Sequence, residues 1–425
     1  MVEVLPFQAL MYDSGIVPDI SLTISPPYDV ISDEMREDLY DRHAFNIVRL
    51  EYSRETSPSV DKYEGAAREL QSWIAQGVLK STSHASFFLL VQNYTDVHGA
   101  NRKRKVLIAR VRLVDFSEGS VLPHEHTVPK AKKDRLDLLT QCETHFSPIM
   151  AVYRDSGKAI SIILESLRVT ENTLASGTIP DEGAFTLAEI NDLGDVAAIT
   201  TAFQETPVII ADGHHRYETA LEYSQISDEL GAQYVMMGLI ALDDPGLDIY
   251  GYHRVITGID EDTKGRIIAR VQEEFEEYKN IKLPQDSELC SQGMELLLAS
   301  PESANWDVAL LHESGDTVLL RVRKMTTETK GGGARLPIRL VEDCIGDAVG
   351  DNHQSLAQIV DYDHDVASAV TRVTAGDCSL GFIMGSLGVE VFEKAVVSEG
   401  RLPRKSTYFH PKLPAGVVMC PLWND

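Results

Sequence analysis

The sequence predicts a mixed α/β fold, and three observations support this prediction. Residues 208–211 form a short, unbroken apolar run, which is typical of a strand buried on both faces. Apolar side chains then recur at helical spacing at Tyr217, Ala220 and Leu221, so a tight turn leads from this strand into a helix. The third observation is a strand–helix–strand–helix order near the C-terminus, which predicts βαβ pairing. The four C-terminal segments are residues 356–360, 365–372, 379–384 and 389–396.

The same patterns assign the other elements in chain order. Pro26 and Pro27 favour an extended or turning segment, because proline biases itself and the preceding residue away from helix. A turn at residues 98–101 separates two strand patterns and predicts a hairpin. The predicted helices are residues 33–41, 60–76, 134–143, 160–167, 195–203 and 260–278. The predicted strands are residues 46–52, 85–97, 104–116, 149–153, 234–242, 250–255, 306–311 and 318–323, with a mobile loop at 326–334.

Length and composition are those of a globular protein with an excess of acidic residues. The 425 residues are enough for two or three domains, and the formal net charge is −26. This charge disfavours general nucleic-acid binding, because a protein that binds a duplex needs a basic surface. The five cysteines have no CxxC spacing, which argues against a zinc knuckle or a disulfide framework and fits a reducing cytoplasm. Neither a signal peptide nor a membrane span is predicted, so no membrane partner is expected.

The helix predicted after the buried strand has an unusual charge in its first turn. Asp212 stands where an N-cap belongs, and Gly213 lets the backbone approach a ligand closely. His214, His215 and Arg216 follow, although cations at a helix N-terminus cost about 0.3–1 kcal/mol each. The conflict is resolved if an anion, most simply phosphate, binds to the free N–H groups and these side chains. The alternative is that Asp212 only caps the helix, Arg216 pairs back to it, and the histidines pack or face solvent.

Three other segments concentrate polar residues. His124, Glu125 and His126 precede a basic stretch whose lysines are suited to cradle phosphates, and Glu125 is a candidate general base or metal-directed carboxylate. The alternative for this stretch is a solvated basic loop. A strand that ends at Arg254 and a segment near the C-terminus supply further donors for phosphate oxygens, unless the first is an ordinary exposed strand end. The donors of the basic stretch and of the C-terminal segment are Lys130, Lys132, Lys133, Arg135, Lys405, Ser406, Thr407 and Lys412.

Weaker signals are Asp29, Asn46 and Arg49. Asn46 and Arg49 are three residues apart, so on a pleated strand they face opposite sides and need not act together. The sequence contains no P-loop, no GxGxxG after a strand, no GxSxG elbow and no HExxH motif. These absences argue against the commonest nucleotide-binding folds, the dinucleotide oxidoreductases, the serine hydrolases and the zincins.

Seven blocks in one order carry a resemblance to a known family. They are Pro26-Pro-Tyr-Asp-Val30, His43-Ala-Phe-Asn-Ile-Val-Arg-Leu50, His124-Glu-His-Thr127, Ala211-Asp-Gly-His-His-Arg-Tyr-Glu-Thr219, Asp243-Asp-Pro-Gly246, His253-Arg254 and Lys405-Ser-Thr-Tyr-Phe-His-Pro-Lys412. On these blocks the chain resembles, over nearly its whole length, the domain-of-unknown-function family numbered ten-fifteen. That family has no settled activity, so the resemblance implies kinship more than function.

The block from Asp212 to Arg216 is also similar to the signature of a wider superfamily. This superfamily includes the nucleotidase domain of ParB-like proteins, sulfiredoxin and the free-serine kinases of archaea. The similarity implies a ParB/sulfiredoxin-like nucleotide-binding core in which Gly213, His214, His215 and Arg216 contact phosphate. It also implies that Asp212 holds Mg²⁺ or activates the acceptor hydroxyl. His214 stands where sulfiredoxin has a cysteine, which disfavours sulfinic-acid repair, and no helix-turn-helix indicates DNA binding.

These inferences predict a division of the chain and a function. We predict a catalytic core with N-terminal elaborations at residues 1–260, and a C-terminal α/β domain at 261–425 whose tail, residues 403–412, returns to the site. The leading hypothesis is a cytoplasmic phosphotransferase that uses ATP or ADP with Mg²⁺ and acts on a small hydroxylated metabolite, with free serine as the first candidate. The alternatives are a metal-dependent hydrolase and a non-catalytic nucleotide-binding regulator.

Each hypothesis assigns roles to particular residues. Phosphoryl transfer needs mainly positioning and charge stabilisation, which the polar segments are able to supply. The predicted catalytic residues are Asp212, Glu125 and His215, and Asp212 is also the predicted metal ligand. The predicted substrate- and phosphate-binding residues are Gly213, His214, Arg216, His124, Lys130, Lys132, Arg254, Lys405, Ser406, Thr407 and Lys412. The hydrolase alternative takes its metal ligands from His124, His126, His214 or His215, and Asp212.

Overall fold

The computed structural model divides the chain into two compact units. Unit 1 comprises Met1–Leu247 and Pro411–Asp425, and unit 2 comprises Asp248–His410. The chain passes from unit 1 to unit 2 before the predicted division at residue 260, because the strands at residues 248–256 pair with strands of unit 2. The structure describes residues 2–55, 61–96, 99–125, 129–167, 172–179, 182–284, 286–323, 336–350, 356, 358–385 and 387–423.

Strands and helices alternate over most of the described residues. The strands are β1 (Val4–Leu5), β2 (Leu10–Tyr12), β3 (Leu79–Ser81), β4 (Phe87–Thr95), β5 (Asn101–Arg112), β6 (Val121–Pro123), β7 (Thr144–His145), β8 (Ile149–Tyr153), β9 (Thr173–Ile179), β10 (Gly183–Ile190), β11 (Val208–Asp212), β12 (Tyr234–Ala241), β13 (Asp248–Tyr250), β14 (His253–Ile256), β15 (Phe275–Lys282), β16 (Val308–Leu311), β17 (Asp316–Val322), β18 (Val360–Asp363), β19 (Leu380–Met384), β20 (Tyr408–His410) and β21 (Cys420–Pro421). The helices are α1 (Asp33–Arg42), α2 (Val48–Glu51), α3 (Lys62–Ala75), α4 (Pro129–Cys142), α5 (Ala159–Ser166), α6 (Leu193–Phe203), α7 (His214–Ser224), α8 (Glu261–Glu274), α9 (Ser287–Ala299), α10 (Pro337–Val349), α11 (Val366–Thr374) and α12 (Val389–Glu399).

A mixed sheet forms the centre of unit 1. Its strands lie in the order β6-β11-β8-β12-β5-β4-β10-β9, and β1 pairs with the end of β5. The pairs β6–β11 and β8–β12 are parallel, and the other neighbours in this order are antiparallel. Apolar side chains of α5, α6 and α7 pack with the sheet in one hydrophobic core. The predicted mixed α/β fold class is confirmed, and so is the hairpin of β4 and β5.

Unit 2 contains an antiparallel sheet in the order β15-β17-β16-β19-β14-β18. The predicted strand–helix–strand–helix order near the C-terminus is confirmed by β18, α11, β19 and α12, although β18 shares only Val360 with the predicted strand at residues 356–360. The strands β18 and β19 of the predicted βαβ pairing are not hydrogen-bonded to each other, because β14 lies between them and is antiparallel to both. The predicted mobile loop at 326–334 lies outside the described residues. Within those described, no helix has both the length and the apolar character needed to cross a bilayer.

Residues 46–52 contain the helix α2 and not the predicted strand. The side chain of Asn46 accounts for this, since its Oδ1 accepts the main-chain N–H of Val48 at 3.0 Å. Its Nδ2 donates to the carbonyl oxygens of Leu22 and Ile24 at 2.9 and 3.2 Å. A side chain that satisfies an N–H of the first turn favours the start of a helix over a strand.

Three further differences concern strands. The predicted helix at residues 260–278 ends at Glu274, because Phe275 is buried and opens β15 opposite Val322. The predicted strand at residues 250–255 consists of parts of β13 and β14, which belong to different sheets. The sequence pattern missed β9 and β10. The side chains of β9 are mostly small, polar or exposed, and β10 lies between β9 and β4 and pairs with both.

Candidate functional site

Two of the predicted polar segments meet at one edge of the sheet in unit 1. The strands β6 and β11 are parallel neighbours with Pro123 opposite Ile210, so their carboxyl ends lie side by side. His124 and Glu125 follow β6 directly, and Asp212 ends β11. The register of β11 against β8 shifts just before Asp212, and such a bulge changes the direction of the side chains that follow.

Both carboxylate oxygens of Asp212 are bound by cations. Oδ1 accepts a hydrogen bond from Nζ of Lys412 at 2.6 Å, and Oδ2 accepts one from Nη2 of Arg216 at 3.0 Å. The side chains of Asp212, Lys412 and Arg216 are 15%, 5% and 11% exposed. Burial raises the pKa of Asp212, but the charges of Lys412 and Arg216 outweigh burial and hold the pKa well below its usual range. Asp212 is therefore ionised at neutral pH.

The sequence predicted Asp212 as the N-cap of α7, but in the structure the N-cap is Gly213. The φ of Gly213 is 93°, in the left-handed region that glycine adopts without strain. No side chain from the described part of the protein caps the helix. Among the described residues, the main-chain N–H groups of His214 and Arg216 donate no hydrogen bond. These free donors point out of a helix N-terminus, which is the usual arrangement of an anion-binding site.

Arg216 folds back over this turn. Its Nη1 donates to Oγ of Ser147 at 2.8 Å and to the carbonyl oxygen of Pro148 at 3.0 Å, while Nη2 binds Asp212. A Cβ on Gly213 would lie 2.8 Å from Nη2, so the guanidinium rests directly on the glycine. The pairing of Arg216 with Asp212 agrees with the alternative to an anion site, in which Arg216 pairs back to Asp212. The buried Nε of Arg216 still has no partner within the described part of the chain.

The rings of His124 and His214 pack edge to face, with centroids 4.6 Å apart. Nε2 of His214 accepts the main-chain N–H of His124 at 3.2 Å, and Nδ1 of His124 donates to the carbonyl oxygen of Ile210 at 2.5 Å. Burial, and then the neighbouring His124, lowers the pKa of His214 to about 3. His214 is therefore neutral, and one of its nitrogens orders the main chain. His215 is less buried than His214.

The replacement His214→Gln is expected to make the fold less sensitive to acid. The pKa of His214 is 6.5 in the unfolded chain and about 3 in the folded chain, so acid adds a proton to the unfolded chain first. Stability of the wild type therefore falls as the pH decreases from about 6.5 to about 3, by about 2 kcal/mol at pH 5. Urea denaturation at pH 7.5 and 5.0 measures this loss, which the variant should lack. The exposed His84, replaced by Gln, is the control, and equal pH dependence in all three proteins would contradict the expectation.

The described side chains of the basic stretch pair with acidic residues. Lys132 pairs with Glu218 of α7, which joins α4 to the helix of the site. Lys133 is exposed and pairs within α4. Arg135 is buried and pairs with Asp134. Of these residues, Lys132 is the one that the structure ties to α7, the helix that begins at the Gly213 turn.

A metal ion does not fit Asp212 in its present contacts, because both of its oxygens are engaged by cations. Glu125 lies beside His124, with 3.5 Å between Oε1 and Nε2. His126 and the side chain of Lys130 lie outside the described residues. In the parts that are described, no three His, Cys, Asp or Glu side chains are grouped to hold a metal. The structure thus gives no geometry for the predicted Mg²⁺ or for the hydrolase alternative.

Sequence analysis missed two buried residues that support Arg216. Oγ of Ser147 accepts from Arg216 and donates to Oε1 of Glu51. Oε2 of Glu51 has no hydrogen-bond partner among the described residues. Burial raises the pKa of Glu51, and the charge of Arg216 opposes this rise. Neither Ser147 nor Glu51 belongs to a recognisable motif, so local sequence carried no signal for them.

Lys412 reaches Asp212 from the C-terminal segment of unit 1 and is held by its main chain. Its carbonyl oxygen accepts a hydrogen bond from Nε2 of Gln92 at 3.1 Å. Oε1 of Gln92 accepts two hydrogen bonds from the fully buried Arg104, at 2.6 and 3.2 Å. The signal available for Gln92 was an amide that directly follows the apolar run of residues 87–91 in β4.

The remaining predicted residues that the structure describes lie in unit 2. Arg254 is fully buried, and its Nη2 lies 2.8 Å from Oε1 of Glu342 while Nη1 donates to the carbonyl oxygen of Tyr252. Nζ of Lys405 lies 4.7 Å from the centre of the Tyr252 ring. The predicted residues of unit 2 are Arg254, Lys405, Ser406 and Thr407. Of the predicted tail, Lys412 is the residue that the structure brings to Asp212.

Comparison with known proteins assigns the chain to a family. Residues 4–339 match the family described as "Protein of unknown function (DUF1015)", which is more than half of the chain. The chain belongs to the DUF1015 family. The resemblance inferred from the sequence blocks is therefore confirmed. No curated protein matches this DUF1015 chain.

Several solved structures are similar to the DUF1015 chain. A conserved hypothetical protein from Pyrococcus furiosus has 14% identity and a TM-score of 0.35, covering 72% of this chain and 93% of that one. A free serine kinase in complex with AMP has 13% identity and a TM-score of 0.35, covering 72% and 86%. SbnI with a C-terminal truncation, from Staphylococcus aureus, has 11% identity and a TM-score of 0.31, covering 71% and 82%. Similarities this low transfer neither activity nor ligand to the DUF1015 chain.

Proposed function

We propose that this DUF1015 protein is a nucleotide-dependent phosphotransferase that binds phosphate at the N-terminus of α7. One observation carries the proposal: the free N–H groups of His214 and Arg216 lie beside two cations, Arg216 and Lys412, that Asp212 holds in place. Main-chain donors at a helix N-terminus and buried cations both suit phosphate oxygens. The ParB/sulfiredoxin-like core implied by the Asp212–Arg216 block supports the same assignment.

In this proposal Asp212 positions the two cations. Its carboxylate fixes Nζ of Lys412 and Nη2 of Arg216 before any ligand arrives, so the phosphate meets donors that need little rearrangement. Because the pKa of Asp212 is held below its usual range, this group is a weak proton acceptor at neutral pH. Its predicted role as general base is thus less favourable than a positioning role.

The proposed nucleotide is ATP or ADP, and the proposed acceptor is a small hydroxylated metabolite, with free serine to be tested first. Transfer of a phosphoryl group depends mainly on alignment and charge stabilisation, which fixed donors provide. No step of the proposal depends on a metal ion bound to Asp212. A reducing compartment such as the cytoplasm fits the five cysteines, which are all buried and form no disulfide.

Purified protein is expected to bind ATP or ADP and to transfer the terminal phosphoryl group to an acceptor. Calorimetric titration with ATP, ADP, AMP and pyrophosphate measures binding, and phosphorus NMR detects the product with serine, threonine, glycerol and homoserine. The variant Lys412→Met should bind the nucleotide at least about tenfold more weakly, because a charge-assisted hydrogen bond contributes about 1.5–3 kcal/mol.

Lys133→Met is the matched control, because Lys133 is 78% exposed and pairs within α4. Its binding and turnover should equal those of the wild type. The proposal is overturned if no nucleotide binds, or if Lys412→Met binds as tightly as the wild type. Tight binding without turnover of any acceptor, with or without added Mg²⁺, would favour the nucleotide-binding regulator instead.

A further inference from the structure

We propose that Glu51 is a positioning residue of the site around Asp212 and fixes the guanidinium of Arg216 through the hydroxyl of Ser147. This role rests on the proposed phosphotransferase function and extends the site to a part of the chain that no motif indicated. Glu51 ends α2 and is 3% exposed, while Ser147 precedes β8 and is 5% exposed. Because both residues belong to the interior, they act on a ligand only through Arg216.

The hydrogen bonds of Arg216 leave few of its donors for a ligand. An arginine guanidinium has five N–H donors. Nη1 donates to Oγ of Ser147 at 2.8 Å and to the carbonyl oxygen of Pro148 at 3.0 Å, which uses both of its hydrogens. Nη2 donates one hydrogen to Asp212 at 3.0 Å, and Nε is buried. Among the contacts of the described residues, one N–H of Nη2 therefore remains for a phosphate oxygen.

The direction of this remaining N–H depends on the orientation of the whole planar group. Asp212 holds the guanidinium at Nη2, and a contact at one end alone leaves a planar group able to pivot. The contacts of Nη1 with Ser147 and Pro148 fix the other end. A donor that is aligned before the ligand arrives stabilises developing charge without rearrangement, so the contacts at Nη1 have a consequence for catalysis.

Glu51 determines which way the hydroxyl of Ser147 points. A serine hydroxyl rotates to suit its partners, because it has one hydrogen and two lone pairs. Oγ of Ser147 accepts from Nη1 of Arg216 and donates its hydrogen to Oε1 of Glu51. The carboxylate thus turns a lone pair of Oγ towards the guanidinium, and hydrogen bonds in such a chain strengthen one another.

The main chain of Glu51 is held by α2 and α4. Its N–H donates to the carbonyl oxygen of Ile47 at 2.9 Å, and its carbonyl oxygen accepts from Nη1 of Arg135 at 2.9 Å. The guanidinium carbon of Arg135 lies 4.0 Å from the centre of the Tyr28 ring, which fixes this arginine in turn. Two helices outside the strand–turn–helix of the site therefore contribute to the position of Arg216.

The polar contacts around Arg216 are not optimal for stability alone. Oε2 of Glu51 and Nε of Arg216 are buried without a hydrogen-bond partner among the described residues. A buried polar atom without a partner costs free energy, and an apolar side chain at position 51 would avoid this cost. The retained carboxylate therefore favours a role in the site over a purely structural one.

The test compares Ser147→Ala with a matched control, Ser86→Ala. Ser86 is also a buried serine of unit 1, and its Oγ donates to Oε1 of Glu189 at 2.6 Å. We expect kcat of Ser147→Ala to fall by about tenfold, while the Kd for nucleotide changes by less than about threefold, because Lys412 and the main-chain donors still bind the ground state. Ser86→Ala should keep the wild-type kcat.

Variants of Glu51 separate its hydrogen bond from its volume. The amide oxygen of Glu51→Gln is able to accept the hydroxyl of Ser147, so this variant should keep most of kcat. Glu51→Met has a similar size but no such acceptor, and should lose about as much kcat as Ser147→Ala. The double variant Glu51→Met/Ser147→Ala should lose no more than either single variant, because both replacements remove the same contact with Arg216.

The orientation of Arg216 is also measured without turnover. Hydrogen exchange of its Nε–H, followed by nitrogen NMR and assigned with Arg216→Lys, should be slow in the wild type, because Nε is buried. The exchange should be clearly faster in Ser147→Ala, in which the guanidinium is free to pivot. Circular dichroism of each variant establishes folding.

Three outcomes overturn the proposal. If Ser147→Ala keeps the wild-type kcat and the slow exchange, Glu51 does not position Arg216, while the phosphotransferase function stands. If Ser86→Ala loses as much kcat as Ser147→Ala, or if the losses of Glu51→Met and Ser147→Ala add up, the contact with Arg216 is not the cause. If the wild type transfers no phosphoryl group, the proposed function itself fails, and the role of Glu51 fails with it.

Discussion

Replacing Lys412 by methionine is expected to lower the free energy of unfolding of unit 1 by about 3 kcal/mol. The Lys412 side chain is 5% exposed and binds Asp212, whose side chain is 15% exposed. Removing one partner of a buried ion pair leaves the other charge without compensation in a poorly solvated site. Arg216 still binds Asp212 in the variant, so we expect the lower end of the range for such losses. Urea denaturation followed by circular dichroism measures the change.

A double-mutant cycle separates the ion pair from the loss of the lysine side chain itself. If the pair is the cause, adding Asp212→Asn to Lys412→Met should cost clearly less than the sum of the two single replacements. Lys133→Met serves as the control and should leave stability unchanged within experimental error, because its ion pair is exposed to solvent. A Lys412→Met variant as stable as this control would show that the contact with Asp212 contributes little.

The second large effect is expected from Gly213→Ala. The φ of 93° is unfavourable for alanine, and its Cβ would lie 2.8 Å from Nη2 and 3.0 Å from Cζ of Arg216. Arg216 therefore has to leave Asp212 or the turn has to change shape. We expect a loss of about 3 kcal/mol in the free energy of unfolding, from the left-handed conformation together with the displaced ion pair. Nucleotide binding should also weaken about tenfold, because the displaced guanidinium no longer faces the turn.

Gly119→Ala provides a matched control for the conformational part. Gly119 has a φ of 70°, and a Cβ there would meet no atom within 4 Å. This variant should lose about 1 kcal/mol, which is the cost of the left-handed backbone alone. Thermal or urea denaturation of both variants gives the difference that arises from Arg216. Equal losses in the two variants would contradict the proposed contact between the glycine and the guanidinium.

Local sequence predicted the strand–turn–helix at the site because each part depends on near neighbours. The apolar run of β11 and the helical spacing of Tyr217 are local patterns, and both were confirmed. The N-cap was misplaced by one residue, since the bulge before Asp212 extends the strand through this residue. That shift leaves the carboxylate of Asp212 free to bind Arg216 and Lys412 instead of capping α7.

The contacts that support the site depend on distant parts of the chain. Ser147 and Glu51 support Arg216, and Gln92 holds the main chain of Lys412, only because the fold brings these distant segments together. The spacing of these residues along the sequence does not indicate that they are neighbours in the fold. Lys412 was predicted from the density of polar residues around it, yet its partner Asp212 is 200 positions away. Strand order, which sets these neighbours, cannot be derived from apolar periodicity.

The chain leaves unit 1 after Leu247 and returns to it at Pro411. Both joints rest on one short stretch of β5: a Cβ on Gly246 would lie 2.4 Å from the carbonyl oxygen of Lys103, and the carbonyl oxygen of Pro411 accepts from Arg104. In the sequence, unit 2 is thus an insertion between two segments of unit 1. Unit 1 consists of two segments of chain, and its second segment is synthesised after all of unit 2. Lys412 is therefore synthesised after all of unit 2, so a nascent chain forms the ion pair between Lys412 and Asp212 only after unit 2 has been made.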